Sequence, residues 1–207
     1  MNGMVIVCPM DAERDLVPAL GARVIGLGGS CVRGLDKLGP HSVLPILVIG
    51  LAGSLSQHCK PGSVYSVSSV VDSSGRTYKP GIHRLLAPLA VPEVRIACAD
   101  TLVCSPQAKA DLASATGASL VDMESAHIAR WCAAHGRSWG MIRAVLDGHD
   151  ETLPPAMENW CGPDGRLRYH RVLISILGNS LLVSKLPWLA QARTKAGAAL
   201  REVFRGI

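Results

Sequence analysis

The feature that most constrains this chain is a series of short apolar runs with no polar alternation, several of them ending in a glycine or an acid. Met4-Val5-Ile6-Val7-Cys8 is the first and Ile46 to Ile49 the next, while Val94 to Ala99 stops at Asp100 and Met141 to Leu146 at Asp147. Runs of this length and composition fit strands buried on both faces, which need helices above and below them. Leu120-Val121 adds a short strand, Arg23-Val24-Ile25-Gly26 another, and Val64 to Val71 one with Ser66, Ser68 and Ser69 among its apolar residues. Helical stretches alternate with them. Asp11 to Leu16 opens with acids where the helix dipole favours them, Ser105-Pro106 caps a helix reaching about Thr116, and Glu124 to His135 carries Ala126, Ala129, Cys132 and Ala133 on one face.

This alternation predicts a single α/β domain over residues 1–207, with a central, largely buried β-sheet. The C-terminal part, from about 167 to 205, reads as helical, apolar and basic, with a turn at Cys161-Gly162-Pro163-Asp164-Gly165, a break at Asn179 and kinks at Gly178 and Pro187. No stretch is long and uninterrupted enough to read as a spanning helix. The formal charge of +5 is mild and not gathered into a dense block, so nucleic acid is not expected as a partner. Seven cysteines, without a Cys-x-x-Cys pair, suit a reducing cytoplasm. His41, His83 and His149 do not fall at metal-ligand spacing, so no metal is expected, and no other cofactor is implied.

Ligands of open α/β sheets gather at the carboxyl ends of strands. The candidates there are Glu13, Gly28 to Ser30, the glycine segment Gly50-Leu51-Ala52-Gly53, Asp100, Asp122-Met123-Glu124 and Asp147. An acid ending an apolar strand, as Asp147 does, can be desolvated and held protonated near neutrality, ready to donate to a ring nitrogen. Glu124 at a helix start can accept from sugar hydroxyls, and Glu13 can orient or deprotonate a water. Each also has an ordinary structural reading: Asp147 as a loop cap, Glu124 and Glu13 as helix-start acids, Met123 as core. Gly29, with Arg33 one turn on, is placed to present amides and a cation to an anion.

In order, Met10-Asp11-Ala12-Glu13, Gly50-Leu51-Ala52-Gly53-Ser54-Leu55 with Pro61-Gly62, Val121-Asp122-Met123-Glu124-Ser125-Ala126 and Ile142-Arg143-Ala144-Val145-Leu146-Asp147 resemble the nucleoside phosphorylase/nucleosidase superfamily. Thr101-Leu102-Val103-Cys104-Ser105-Pro106, Leu153-Pro154-Pro155-Ala156 and Gly162-Pro163-Asp164-Gly165-Arg166 look closest to its hopanoid-associated phosphorylase branch. The resemblance implies a three-layer α/β/α sandwich with a central mixed sheet. It implies release of adenine from a nucleoside, in that branch from adenosylhopane, with either phosphate or water as nucleophile. A methylthioadenosine/adenosylhomocysteine or futalosine nucleosidase is the alternative, and a nucleoside-binding module without catalysis a third.

Carried over by position, Asp147 protonates the purine at N7, Met123 and Glu124 hold the ribose, and Leu102 and Val103 lie against the base. Glu13 handles the nucleophilic water, and Ala52, Gly53, Gly29 and Arg33 line the nucleophile's side. Arg143 supports the Asp147 strand end. The sequence departs from the family pattern at Leu51, where nucleosidases often carry a hydroxyl, at Leu146, where Ser usually precedes the catalytic Asp, and at Ser63, where the family turn is Gly-Asp. A homodimer is implied. Leu173, Ile174, Ile176, Leu177, Leu181, Leu182, Val183, Leu186, Trp188 and Leu189 near Arg168, Arg171, Lys185, Arg193 and Lys195 suit peripheral contact with anionic lipid at the inner membrane face. Burial against the core is the other reading of that stretch.

Overall fold

The computed structural model describes residues 3–39, 43–178 and 180–205. The expected break at Asn179 and the residue His41 lie outside them, and the side chains of Leu177, Leu181 and Val183 are likewise outside the description. The elements run β1 (Val5–Cys8), α1 (Asp11–Arg14), β2 (Arg23–Val24), α2 (Cys31–Asp36), β3 (Ile46–Ser54), β4 (Val64–Val71), β5 (Thr77–Tyr78), α3 (His83–Leu86) and β6 (Glu93–Cys98). They continue α4 (Pro106–Thr116), β7 (Leu120–Asp122), α5 (Ser125–Ala134), β8 (Trp139–Asp147), α6 (Tyr169–Gly178) and α7 (Ser180–Val203). The expected mixed sheet with helices on both faces is present.

The continuous apolar runs are explained by packing on two sides. Along β3, Ile46 and Val48 face one apolar cluster with Leu35 and Trp131, while Leu47 and Ile49 face a second with Leu16, Leu200 and Phe204. Met141 and Val145 against Ile142 and Ala144 divide β8 in the same way. Successive strand residues point to opposite faces, so only an all-apolar run can be buried on both. The helices expected at Ser105-Pro106 and near Glu124 form. Ser105 accepts the Ala108 amide at 3.2 Å and Gly117 closes α4 in the left-handed region at φ 64°.

One reading is corrected. The sequence ends the apolar run at Ile49 and sets the glycine segment Gly50 to Gly53 beyond it, but that segment is the second half of β3. It pairs in parallel with β8, Gly50 beside Arg143 and Ala52 beside Val145. Beyond the part covered by β1, the other edge of β3 pairs antiparallel with β7 at Gly53–Val121 and Ser54–Leu120. Since β7 runs beside β6, β6 beside β4 and β4 antiparallel to β8, the strands β3, β8, β4, β6 and β7 close into a ring. The carboxyl ends of β3 and β8 therefore meet the short β7 at one place, which no local sequence pattern announces.

The C-terminal region is buried in one part and exposed in another. Ala192, Ala196 and Leu200 of α7, with Phe204 just beyond it, are buried at four-residue spacing, a core-facing stripe. By contrast, α6 exposes Tyr169 (77%), Leu173 (57%) and Ile174 (66%). Pro187 lies inside α7, which continues through it. Among the described residues no helix is long and apolar enough to cross a membrane.

Candidate active site

Where those strand ends meet lies a cavity of about 280 Å³. Its floor is acidic: Glu13 from α1, Asp122 and Glu124 from β7 and the residue capping α5, and Asp147 from β8, all buried. The position of Asp147 depends on a β-bulge. The pairing of β3 with β8 shifts between Ala52 and Gly53, so Gly53 faces Asp147 and Leu146 is skipped. A bulge breaks strict alternation and re-aims side chains, and here both Leu146 and Asp147 line the cavity. Gly53 leaves room for the carboxyl group: a Cβ there would stand 3.3 Å from Asp147 Oδ2.

Each acid has its own partners. Glu13 Oε1 accepts the Leu51 amide at 2.7 Å and Oε2 the Met10 amide at 2.9 Å. Burial nevertheless pushes its carboxyl up from 4.5 to about 7, against the pull of the Arg143 guanidinium and those two amides. Glu124 Oε1 accepts the Gly28 amide at 2.9 Å. Its carboxyl is raised by burial first and then by the neighbouring Asp122. Asp122 is spent on structure, because one oxygen takes the Ser125 amide and hydroxyl and the other the Arg143 Nε and Nη2.

Arg143 has no exposed surface. Its Nη1 makes no hydrogen bond among the described residues and lies against Gly50, where a Cβ would fall 2.1 Å from it and 2.6 Å from Glu13 Oε1. Gly50 is thus required by close approach, since any side chain would displace the guanidinium or Glu13. Arg143, expected to support the strand end at Asp147, has Asp122 of β7 as its side-chain partner. The group that holds Asp147 is Lys109 of α4, a fully buried lysine whose Nζ stands 2.5 Å from Asp147 Oδ2, 2.6 Å from the Gly148 carbonyl and 2.9 Å from that of Glu151. Burial raises the Asp147 carboxyl, and the lysine opposes that rise.

Met123, Leu102, Ala52 and Gly53 line the cavity as expected, and Val103 lines a hollow of about 50 Å³ that shares Asp147 and Leu102 with it. Two candidates fall elsewhere. Arg33 sits exposed on α2, donating to Ser30 Oγ at 3.1 Å, and lines a separate hollow with Arg23 and Lys37. Gly29 is exposed beside the His127 ring and is not among the residues lining the cavity, while its neighbour Gly28 lends its amide to Glu124. Gly29 thus lies in the turn whose Gly28 amide binds Glu124, and Arg33 on the helix that follows it.

Sequence reasoning missed Lys109 and most of the outer wall: Met10, Leu27, Leu153, Met157, Trp160, Cys161 and Leu167. Lys109 had a signal. It starts the stripe Lys109, Leu112, Ala113, Thr116 on the inner side of α4, where an apolar residue is the rule. The outer wall comes from irregular chain and carries no such pattern. All seven cysteines are free, and among the described residues no group of His, Cys, Asp and Glu is arranged to hold a metal ion.

A family model described as the phosphorylase superfamily matches residues 83–177, a span that holds Asp122, Glu124, Arg143 and Asp147. Among solved structures the chain is similar to the native futalosine hydrolase of Helicobacter pylori, with a TM-score of 0.69 at 17% identity, covering 99% of this chain and 97% of that one. It is also similar to S-adenosylhomocysteine nucleosidase from Streptococcus pyogenes in complex with 5-methylthiotubericidin (TM-score 0.69, 17% identity, 99% and 95% covered). A third is an Asp-to-Asn mutant of the Helicobacter pylori 5'-methylthioadenosine/S-adenosylhomocysteine nucleosidase with 5'-methylthioadenosine in the active site (TM-score 0.68, 17% identity, all of both chains covered). No curated protein matches the sequence. The fold is that of the nucleoside phosphorylases and nucleosidases.

Proposed function

We propose that this chain cleaves the N-glycosidic bond of an adenine nucleoside with water as the nucleophile. The observation that carries this is the convergence of Glu13, Glu124 and Asp147, each buried and separately held, on one cavity. Breaking a ribosyl–purine bond builds positive charge on the sugar, and a ring of carboxyl groups is suited to receive it. Asp147, whose carboxyl is raised by burial against the pull of Lys109, donates to N7 in its protonated form. Glu124 accepts from ribose hydroxyls, with Met123 beneath the sugar. The base lies between Leu102, Val103 and Leu153. Glu13 takes the proton of the attacking water. Water is favoured over phosphate because no Lys or Arg lines the cavity among the described residues, and a phosphate dianion calls for cations or free amides. The solved relatives named as nucleosidases and hydrolases support this reading.

For the substrate we infer an adenosine bearing a large apolar group on the sugar, as adenosylhopane does. The outer wall, Met10, Leu27, Met157, Trp160 and Leu167, is apolar, and beyond Leu167 follow the exposed Tyr169, Leu173 and Ile174 of α6. Methylthioadenosine is the second reading, favoured by the relatives that bind it or its analogue, and an apolar wall accommodates a methylthio group too. Adenine release from adenosine, methylthioadenosine and an adenosyl-polyterpenoid, each with and without phosphate, tests both. The expected result is phosphate-independent release, fastest from the polyterpenoid. Release that requires phosphate overturns the nucleophile, preference for methylthioadenosine overturns the lipid-linked substrate, and release from none leaves a binding module.

The apolar face of α6 stands beside the exposed Arg166 and Arg171, which suits an anionic bilayer surface. Sedimentation with anionic vesicles is expected at low salt, weakened by salt and by Leu173→Asp; full recovery in the supernatant at low salt sinks that contact.

A further inference from the structure

We infer that Lys109 is the positioning residue that makes Asp147 a competent acid, its ammonium receiving the negative charge that Asp147 acquires as it gives up its proton to the leaving base. This rests on the N-glycosidic reading above. The geometry is specific. Lys109 has three ammonium protons and three acceptors: Asp147 Oδ2, the Gly148 carbonyl and the Glu151 carbonyl. The side chains of the pair are 1% and 2% exposed, so water does not screen it. A lysine is seldom buried without a task, because moving an ammonium out of water is costly. The two carbonyls fix Nζ against one oxygen of the carboxyl group and leave the other for the base.

In the step itself, the O–H bond of Asp147 breaks and its proton bonds to the ring nitrogen. The electron pair of the C–N bond moves into the base, which leaves neutral. The water that captures the sugar gives its proton to Glu13. Asp147 thus turns from a neutral acid into a carboxylate in a dry site, and Lys109 stands 2.5 Å away to stabilise it. Among the described residues, the other ionisable groups around Asp147 include Glu151 in the following loop, Cys104 ahead of α4, and Glu13, Asp122, Glu124 and Glu158 lining the same cavity. Apart from the thiol they are acids, which oppose ionisation of Asp147, so Lys109 is the cation that offsets them. The loop is tied as well: Glu151 Oε2 accepts the Gly148 amide at 2.6 Å and Oε1 accepts Trp188 Nε1 of α7 at 3.1 Å.

A purely structural lysine would hold that loop and nothing more, and the test separates the two roles. Wild type, Lys109→Met and Lys109→Arg are compared for adenine release across pH, and for cleavage of 4-nitrophenyl riboside, whose leaving group needs no proton. Asp147 works protonated, and Lys109 favours its ionised form. Removing the cation therefore moves the alkaline limb of kcat/KM to higher pH. Lys109→Met is expected to lose about 10²-fold on the nucleoside, to show that upward shift, and to lose little on the nitrophenyl substrate; Lys109→Arg restores part of the rate and the limb. An unmoved limb, or equal losses on both substrates, overturns the inference. If wild type releases no adenine, the N-glycosidic reading fails separately. A carbon-NMR titration of the Asp147 carboxyl then decides the charge coupling alone: its midpoint rises in Lys109→Met, and an unchanged midpoint overturns the inference. Should Lys109→Met fail to fold, the same shift is read at smaller amplitude in Lys109→Arg.

Discussion

Replacing Asp147 by Asn should abolish most adenine release, by about 10²–10⁴-fold in kcat, the range an acid delivering one proton supplies. The amide is nearly the same size and still donates a hydrogen bond towards the base, but it cannot hand over a proton. Binding should therefore survive better than turnover, and the variant should hold substrate without cleaving it. A second effect accompanies the first. Asp147 is the side-chain acceptor of the buried Lys109 ammonium, and a carboxamide oxygen, which cannot ionise beside that charge, compensates it less well, a loss of about 1–3 kcal/mol. A fall in melting temperature is therefore expected together with the loss of turnover. The two are separated by measuring nucleoside binding by calorimetry well below the melting temperature. Retained binding with lost turnover identifies the acid. Wild-type turnover in a folded Asp147→Asn protein would place the acid elsewhere.

The strands were legible because burial on both faces leaves no choice of residue. Ile46 to Ile49 and Met141 to Leu146 must be apolar throughout, and their paired neighbours confirm why. The site was legible only in part, and its errors share a cause. Gly50 to Gly53 reads as the end of the strand because glycine is usually wanted for its backbone freedom. Here the glycines lie in a strand and are wanted for the missing Cβ, beside Arg143 and Glu13 at one end and Asp147 at the other. Arg143 was assigned to Asp147, its near neighbour in sequence, but four residues further along the same strand is far from it, and the partner comes from the other side of the ring on β7. Lys109 was passed over because a lysine on a helix is ordinarily solvated. Its burial follows from the packing of α4 over the end of β8, a long-range contact that one-dimensional patterns do not carry. Arg33, a cation one turn after two glycines, has the local chemistry for an anion site, yet the Gly28 amide of that turn is taken by Glu124 and the exposed arginine donates to Ser30 Oγ.

Glu13 offers the largest effect on the nucleophile, and its pH dependence has a definite sign. Its carboxyl is raised from 4.5 to about 7, chiefly by burial. A base acts only when ionised, so kcat/KM for hydrolysis should climb with slope one as pH rises towards about 7 and level off above it. Asp147 must keep its proton, so the profile falls again on the alkaline side, and the bell marks two carboxyl groups driven to opposite tasks by their surroundings. Glu13→Gln should remove the acid limb and lower kcat/KM by about 10²–10⁴-fold. The substitution is not innocent for the fold. Both oxygens of Glu13 accept backbone amides, and the NH₂ of Gln must face one of those donors, losing one hydrogen bond and setting donor against donor. Glu13→Asp keeps the charge but draws it back by a carbon, so it should retain an acid limb at a reduced rate. The pair of variants also decides the nucleophile. Phosphate arrives as its own anion and needs no base, so under phosphorolysis Glu13→Gln would keep a phosphate-dependent rate close to wild type. Loss of release at every phosphate concentration, with the limb near pH 7 gone, is what the hydrolytic reading requires.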